Sequence, residues 1–379
     1  STPYDVGLDL DFFNNRLSVS GDYYRRYTTD MYTASVALPA VYGTGSPKGN
    51  NAEMKTDGWE LSLSWRDSFK LGGKPFDYSI KAMVWDSKSV ITKYVNDTGS
   101  LGTVKGFIEN GGSPSSYYVG MTVGEIWGYT VAGLFRDQAD IDSSAIHDFV
   151  QASDKVTRPG QVKIADLDHN GNIDPGAFTA DDHGDLCIIG NQSPRYRYGV
   201  NLSARWNGIG LSVFLQGVGA RDWYPGSDAG MFWGKYGRPF FALIPSIHNY
   251  TDDMYSAERN NWDTAYWPRM TTYQSNGTKN WTRLLEIPNT RYIQSAAYLR
   301  VKNIQLDYSF PKHICSAIRL QGLKIYVNAE NLFTFTPLHK YAPNFDPEGL
   351  SYDSDFASAA DGYTYPILKS VTVGVNITF

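Results

Sequence analysis

The sequence predicts an all-β fold of the transmembrane antiparallel β-barrel class, present as one part of a larger barrel with long loops. Three observations carry this expectation. Apolar and polar residues alternate with period two through nine segments, those segments are long, and their connections alternate strictly between short and long. Such alternation marks strands with one apolar face. Ordinary strands average about 5–6 residues, whereas tilted strands of about 9–11 residues are needed to cross a hydrocarbon layer roughly 30 Å thick. The nine segments run mostly for about 9 to 13 residues, which favours the bilayer over a soluble sandwich.

The elements follow in chain order. In Tyr4–Phe12, Val6, Leu8 and Leu10 share one face, and Asp5, Asp9 and Asp11 the other. Asn14-Asn15 makes a turn. Leu17, Val19, Tyr23 and Tyr27 then alternate with Ser18, Ser20, Asp22, Tyr24 and Arg26. Trp59, Leu61, Leu63 and Trp65 form a third strand, joined through Arg66–Pro75 to Phe76, Tyr78, Ile80, Ala82 and Val84. Tyr198–Trp206 and Ile209–Gly217 flank Asn207-Gly208, a dipeptide suited to a type I′ hairpin, where both central residues need positive φ. Leu299–Phe310, Leu323–Phe333 and Ser370–Phe379 complete the set. In the last, Val371, Val373, Val375, Ile377 and Phe379 alternate with Thr372, Gly374, Asn376 and Thr378.

The turns at Phe13–Arg16, Arg66–Pro75, Asn207–Gly208 and Pro311–Gly322 are short, while 29–57, 91–197, 218–298 and 334–369 are long loops. Outer-membrane barrels have this asymmetry, with short periplasmic turns and longer extracellular loops. Aromatics near strand ends (Tyr23, Tyr24, Tyr27, Trp59, Trp65, Trp206, Tyr298, Tyr308, Phe310) suit interfacial girdles. With the short turns in the periplasm, an odd set of nine strands starts outside. Single-chain bacterial barrels have even strand numbers, so residues 1–379 are expected to be the C-terminal part of a larger barrel. The loops are too rich in Trp, Tyr and Phe for disorder, and loops of this length are expected to form ordered surfaces for ligands or partners.

Composition excludes other classes. The 379 residues carry 34 Lys+Arg against 39 Asp+Glu, a formal charge of −5, so a nucleic-acid binder is not expected. STPYDVGLDL lacks the basic and apolar regions of a signal peptide. Cys187 and Cys315 form no C-x-x-C pair and read as buried thiols. No zinc spacing, H-E-x-x-H, G-x-S-x-G or Walker sequence occurs among the 379 residues. Asp181-Asp182 and Asp252-Asp253 read as solvated pairs rather than glycosidase carboxylates. No enzymatic constellation emerges.

Two features point to binding. Asp166, Asp168, Asn170, Asn172 and Asp174, with Gly171 at the sharp turn, have the oxygen-ligand spacing of a calcium loop. The bidentate Glu is missing because its place is Ala177, and Asp181, Asp182 or Asp185 is the replacement to look for. The alternative is an Asx-turn loop in which these side chains cap backbone N–H groups. Trp223, Tyr224, Trp233 and Tyr236 cluster in one loop and are candidates for stacking on a substrate, since aromatic faces take sugar rings or peptide side chains. Loop packing or contact with a partner is the competing role.

Several blocks resemble SusC-like TonB-dependent transporters. Residues 159–174 (PGQVKIADLDHNGNID) resemble the family's PGDIKYxDxNGDGxID, and residues 188–194 (IIGNQSP) its IIGNPxP. Residues 214–222 (FLQGVGARD) are similar to FxQGxxGxD, residues 298–304 (YLRVKNI) to YLRLKNI, and residues 328–334 (NAENLFT) to xxENLFT. The blocks appear in family order over most of the chain. The resemblance implies a 22-stranded barrel of the outer-membrane transporter kind, with the plug and TonB box outside this chain. It implies import of oligosaccharides or peptides at the cell outer membrane, TonB as energy source, a SusD-like surface lipoprotein as lid, and a dimer of the transporter–lipoprotein pair as one assembly. Phe379 then reads as the C-terminal barrel-assembly signal. Two alternatives stay open: a soluble secreted glycan-binding or glycan-cleaving β-protein, and a siderophore receptor without a lipoprotein partner.

Overall fold

The computed structural model describes residues 1–34, 41, 43, 47–103, 112–147, 157–224, 253–269, 288–343, 345–350 and 367–379. Nine strands form one antiparallel sheet: β1 (Thr2–Phe12), β2 (Leu17–Ala34), β3 (Lys48–Leu71), β4 (Lys74–Lys93), β9 (Arg195–Trp206), β10 (Ile209–Ala220), β13 (Tyr298–Ser309), β14 (Gly322–Phe335) and β15 (Ser370–Thr378). Each pairs with the next in sequence order, and among the described residues β1 and β15 are the open edges. The remaining strands lie in the long connections: β5 (Glu125–Tyr129) with β8 (Leu186–Asn191), β6 (Val131–Leu134) with β7 (Val162–Ile164), and β11 (Asp222–Trp223) with β12 (Gln294–Ser295). Two short helices, α1 (Gln138–Asp142) and α2 (Lys312–Ala317), and a 3₁₀ turn at Pro337–Lys340 complete the elements among the described residues.

These nine strands are the nine expected from periodicity, but three of them run further. β2 continues to Ala34 and β3 starts at Lys48, well inside the expected 29–57 loop. The expected Arg66–Pro75 turn is mostly strand, and the reversal occurs at Gly72-Gly73, both at positive φ. The extra lengths are mostly polar, with only isolated apolar residues such as Ala52 and Met54 (Lys48–Asp57 reads KGNNAEMKTD), so no sustained alternation betrays them. Their backbone is satisfied by pairing between β2 and β3 and, from Glu53 onward, between β3 and β4.

The register sorts side chains into two faces. Val371, Val373, Val375 and Ile377 stand on one face of β15, between 49 and 74% exposed. Leu306, Ile325 and Val327 on β13 and β14 are likewise exposed, and Leu211 and Ile80 extend the row across β10 and β4. A compact water-soluble interior would bury these residues, so the greasy face is the outside of a wall. The opposite face is polar: Ser79 Oγ lies 2.8 Å from Ser203 Oγ, and Arg205 and Lys324 flank the buried carboxylate of Asp307. Toward the short-turn end this face carries a hollow of about 540 Å³ lined by groups such as Arg66, Asp77, Ser212 and Asp307.

Aromatic pairs mark both rims. Phe13–Trp65, Phe69–Phe76 and Tyr308–Phe310 touch at the short-turn end, with centroids 6.2, 5.0 and 5.0 Å apart, and Tyr4–Tyr27 meet edge-on at the loop end. Two of the expected girdle residues belong elsewhere. Tyr24 shares the parity of Ser20 and Asp22, so its ring lies over Gly58 on the polar face. Tyr298 is buried at the start of β13.

Candidate functional site in the loop layer

The packed hydrophobic core of the protein lies in the loops rather than in the sheet. Leu101, Trp127, Tyr129, Leu134, Val162, Ile164, Ile173, Leu186, Tyr224, Trp267 and Tyr292 form one buried cluster. The layer is grafted onto the end of β4, where Ile91 N–H donates to Met121 O and Gly120 N–H to Ile91 O, both at 2.9 Å. Ring stacking fixes its interior: Trp267 lies parallel to Tyr292, and Tyr266 stacks on Tyr341 with centroids 3.7 Å apart. A layer built this way presents a rigid surface, the form in which loops carry binding.

Two of the four aromatic candidates are described, and both are interior. Trp223, 3% exposed, packs against Phe345 with Ala296, Leu338 and Leu350. Tyr224, 4% exposed, belongs to the main loop cluster and accepts a hydrogen bond from Asn289 Nδ2 at 3.2 Å. In this arrangement neither ring offers an open face to a ligand, because the aromatics that attract sugar also fill a core. Trp233 and Tyr236 lie outside the described residues.

The acidic loop takes the Asx-turn form, and three carboxylates also converge beside it. Most of its side chains cap backbone N–H groups. Asp168 Oδ1 accepts from Asn170 N–H at 3.0 Å, Asn170 Oδ1 from Asn172 N–H at 2.7 Å, and Asp174 Oδ1 from Gly176 N–H at 2.8 Å. Asp166 Oδ2 accepts from Gly171 N–H at 2.9 Å, and Gly171 has φ +84°. At the same time Asp166 and Asp168 converge with Asp185, their ligand oxygens all within 4.8 Å of one another. Asp174 stands outside this carboxylate group. Of the three replacements for the missing Glu, Asp185 is therefore the one that the fold brings in.

Asp185 is fully buried and accepts N–H bonds from Leu167 and Asp174 at 2.6 and 3.1 Å. Burial pushes its pKa above the ordinary Asp value, and the charges of Asp168 and Asp166 add to this against the two N–H donors. Asp166 Oδ1 is buried and accepts no hydrogen bond. Three carboxylates and an idle buried oxygen are donors that suit a hard cation such as calcium.

Periodicity gave no hint of three further positions. His147 is buried. Its Nδ1 lies 2.7 Å from Ala145 O, which makes it the donor, and Nε2 accepts the Ile164 N–H at 3.0 Å. Burial holds its pKa below the ordinary His value; the Ala145 carbonyl opposes this and the Lys163 charge reinforces it. Arg300, 2% exposed, reaches Asp346 at 2.6 and 2.7 Å and also pairs with Glu348, which Lys302 meets at 2.8 Å. Arg221 donates to the Pro347 and Leu350 carbonyls at 3.0 and 2.7 Å. Two arginines on or beside the strands thus hold the segment after Phe335 against the wall. Strict alternation from Leu306 would place Arg300 on the apolar face; the bulge between Val301 and Asn303 turns it inward, and nothing local reveals partners about 46 residues away.

A long-stranded antiparallel wall with an apolar outside, a polar inside and a folded loop layer at one end defines a section of a large transmembrane-type barrel. Residues 1–181 match the family described as "TonB dependent receptor-like, beta-barrel". The chain is 26% identical to TonB-dependent receptor P3 of Formosa agariphila, over 100% of this chain and 34% of that protein. It is 23% identical to TonB-dependent receptor SusC of Bacteroides thetaiotaomicron, over 100% of this chain and 32% of that protein. Its fold is similar to the RagAB peptide importer in the open-open state, with a TM-score of 0.66 at 19% identity, covering 100% of this chain and 34% of that one. The chain is similar to TonB-dependent receptors, SusC among them, in line with the resemblance of its sequence blocks, and it spans about a third of the length of the curated relatives that it matches.

Proposed function

We propose that the protein containing this chain imports a nutrient, an oligosaccharide or a peptide, across the outer membrane in a TonB-dependent manner. The chain supplies barrel wall and extracellular loops. The observation that carries this reading is the separation of its two apolar surfaces. The row on β15 and its neighbours is exposed, while the loop layer at one end has a closed core. Lipid on the first and a ligand or partner over the second account for both. The relatives are receptors and transporters rather than enzymes, so binding and passage, not bond chemistry, is the role assigned to the loop layer. A SusD-like lipoprotein is the partner assigned to the loop side, and a dimer of such pairs the assembly.

The test is growth on defined oligosaccharides and on peptide mixtures as sole nutrient. Deletion of the gene is expected to abolish growth on one of them, and loss of TonB to reproduce the defect. A lipoprotein is expected to co-purify with the detergent-extracted protein. Unchanged growth on every nutrient, together with release of the protein into plain buffer, overturns the reading.

Calcium at Asp166, Asp168 and Asp185 is proposed as a loop-fixing ion. Terbium luminescence excited through loop Trp residues is expected to rise on titration and to be displaced by calcium. Asp185→Asn is expected to remove the signal.

A further inference from the structure

The connection between β13 and β14 differs from the other three reversals at its end of the sheet. Those are tight turns, at Phe13–Arg16, Gly72-Gly73 and Asn207-Gly208, whereas this one folds into α2. Cys315 is its buried residue and lies 3.7 Å from Phe310 O, so that side of the helix rests on the barrel end. Ile314 and Ile318, one turn apart, are 39 and 54% exposed, and Ala317 beside them is exposed as well. The helix is closed by Leu320 N–H donating to Cys315 O at 2.9 Å, with Arg319 at φ +59°. From Pro311 to Gly322 the chain carries Lys312, His313 and Arg319 and no Asp or Glu. All three side chains are exposed.

This apolar face is continuous with the belt. Gln321 N–H donates to Thr378 O at 2.8 Å, which places α2 beside the end of β15 and Phe379, itself largely exposed. Tyr308 and Phe310, in edge contact, stand directly before the helix. The order is apolar row, aromatic pair, then a short helix with two exposed isoleucines between cations. That order follows the change from hydrocarbon through interface to headgroup.

We infer that α2 is an interfacial foot: Ile314 and Ile318 dip into the acyl boundary of the leaflet on the short-turn side, while Lys312 and Arg319 take the phosphates of anionic phospholipid. Cations near such a surface gain electrostatic attraction beyond the apolar contact, and the absence of acid in the segment leaves that attraction unopposed locally. The inference rests on the membrane reading above and goes beyond it by naming a lipid class and the residues that hold it.

The test uses the full-length protein in nanodiscs of phosphatidylcholine with or without phosphatidylglycerol. A nitroxide is placed at Ile318→Cys, and separately at Val373→Cys, in a Cys187→Ser, Cys315→Ala background that retains its heat-modifiable barrel mobility on gels. Accessibility to oxygen is compared with accessibility to a water-soluble nickel chelate. Both labels are expected to favour oxygen, and the Ile318 label is expected to move deeper with phosphatidylglycerol. Lys312→Glu with Arg319→Glu is expected to abolish that lipid dependence. If the Val373 label reads lipid while the Ile318 label reads water, or is shielded from both reagents by protein, the foot is overturned and the membrane reading stands. An Ile318 depth that ignores phosphatidylglycerol overturns the anionic headgroup. A Val373 label that reads water removes the membrane reading, and the foot falls with it.

Discussion

The ring of Tyr326 on β14 lies across Gly374 on β15, directly opposite it in the register, where a Cβ built on the glycine would overlap the ring. Tyr24 over Gly58 and Tyr198 over Gly217 repeat the arrangement between β2 and β3 and between β9 and β10. Each glycine is thus a slot for a cross-strand ring, on the polar face for Tyr326 and Tyr24 and on the opposite face for Tyr198. Such a pair fixes register, because a slip by one residue would move the ring to the other side of the sheet.

Gly374→Ala is expected to weaken docking of the last strand by about 1–3 kcal/mol, the usual scale of overpacking. The readout is heat-modifiable mobility on a gel, with unfolding at lower temperature. Tyr326→Ala with Gly374→Ala is expected to recover part of the loss, because the clash is gone although the ring packing is not restored.

Arg300 is the deepest cation among the described residues of the loop–wall junction, paired with Asp346 and Glu348. Arg300→Met keeps apolar bulk but leaves two carboxylates facing each other without it. A loss of about 3 kcal/mol in docking of residues 336–350 is expected, the scale for breaking an inward ion pair. Limited proteolysis should detect it as new cleavage in that segment, with the barrel band unchanged. Equal cleavage in wild type and variant would refute the strap.

His147 gives the loop layer a pH dependence of known sign. Its folded pKa is depressed, so the unfolded layer binds the proton more readily and stability falls as pH drops below the unfolded value of about 6.5. Protonation of Nε2 removes the acceptor of the Ile164 N–H. Amide exchange in peptides spanning residues 157–173 is expected to speed up between pH 7 and 5, and His147→Gln to flatten that profile.

Val373 sits in the middle of the exposed apolar row of β15. Val373→Lys is expected to cost about 2–4 kcal/mol in lipid, the range for a cation at the midplane of a barrel face, and to lower the amount of protein recovered from membranes. Thr372→Lys, on the polar face, is expected to have a small effect. Similar losses from the two would contradict the assignment of faces.

Much of this molecule follows from local pattern alone. The alternation Val371, Val373, Val375, Ile377 needs only a pleated backbone to give two faces, so the strand and its greasy side were legible in the chain. The Asn207-Gly208 reversal was legible for the same reason: its positive φ values, +49° and +86°, are a local demand. What the sequence could not decide involves partners distant along the chain. Whether Trp223 and Tyr224 are platforms or filling depends on Phe345 and Asn289 arriving beside them. Asp185, not Asp181 or Asp182, joins Asp166 and Asp168 because the loop returns there through β8. The polar ends of β2 and β3 are strand only because their neighbours supply hydrogen bonds, which no period-two signal records. Local stereochemistry acts within a few residues and is written in their order, whereas burial and charge pairing are set by whatever the fold brings into contact.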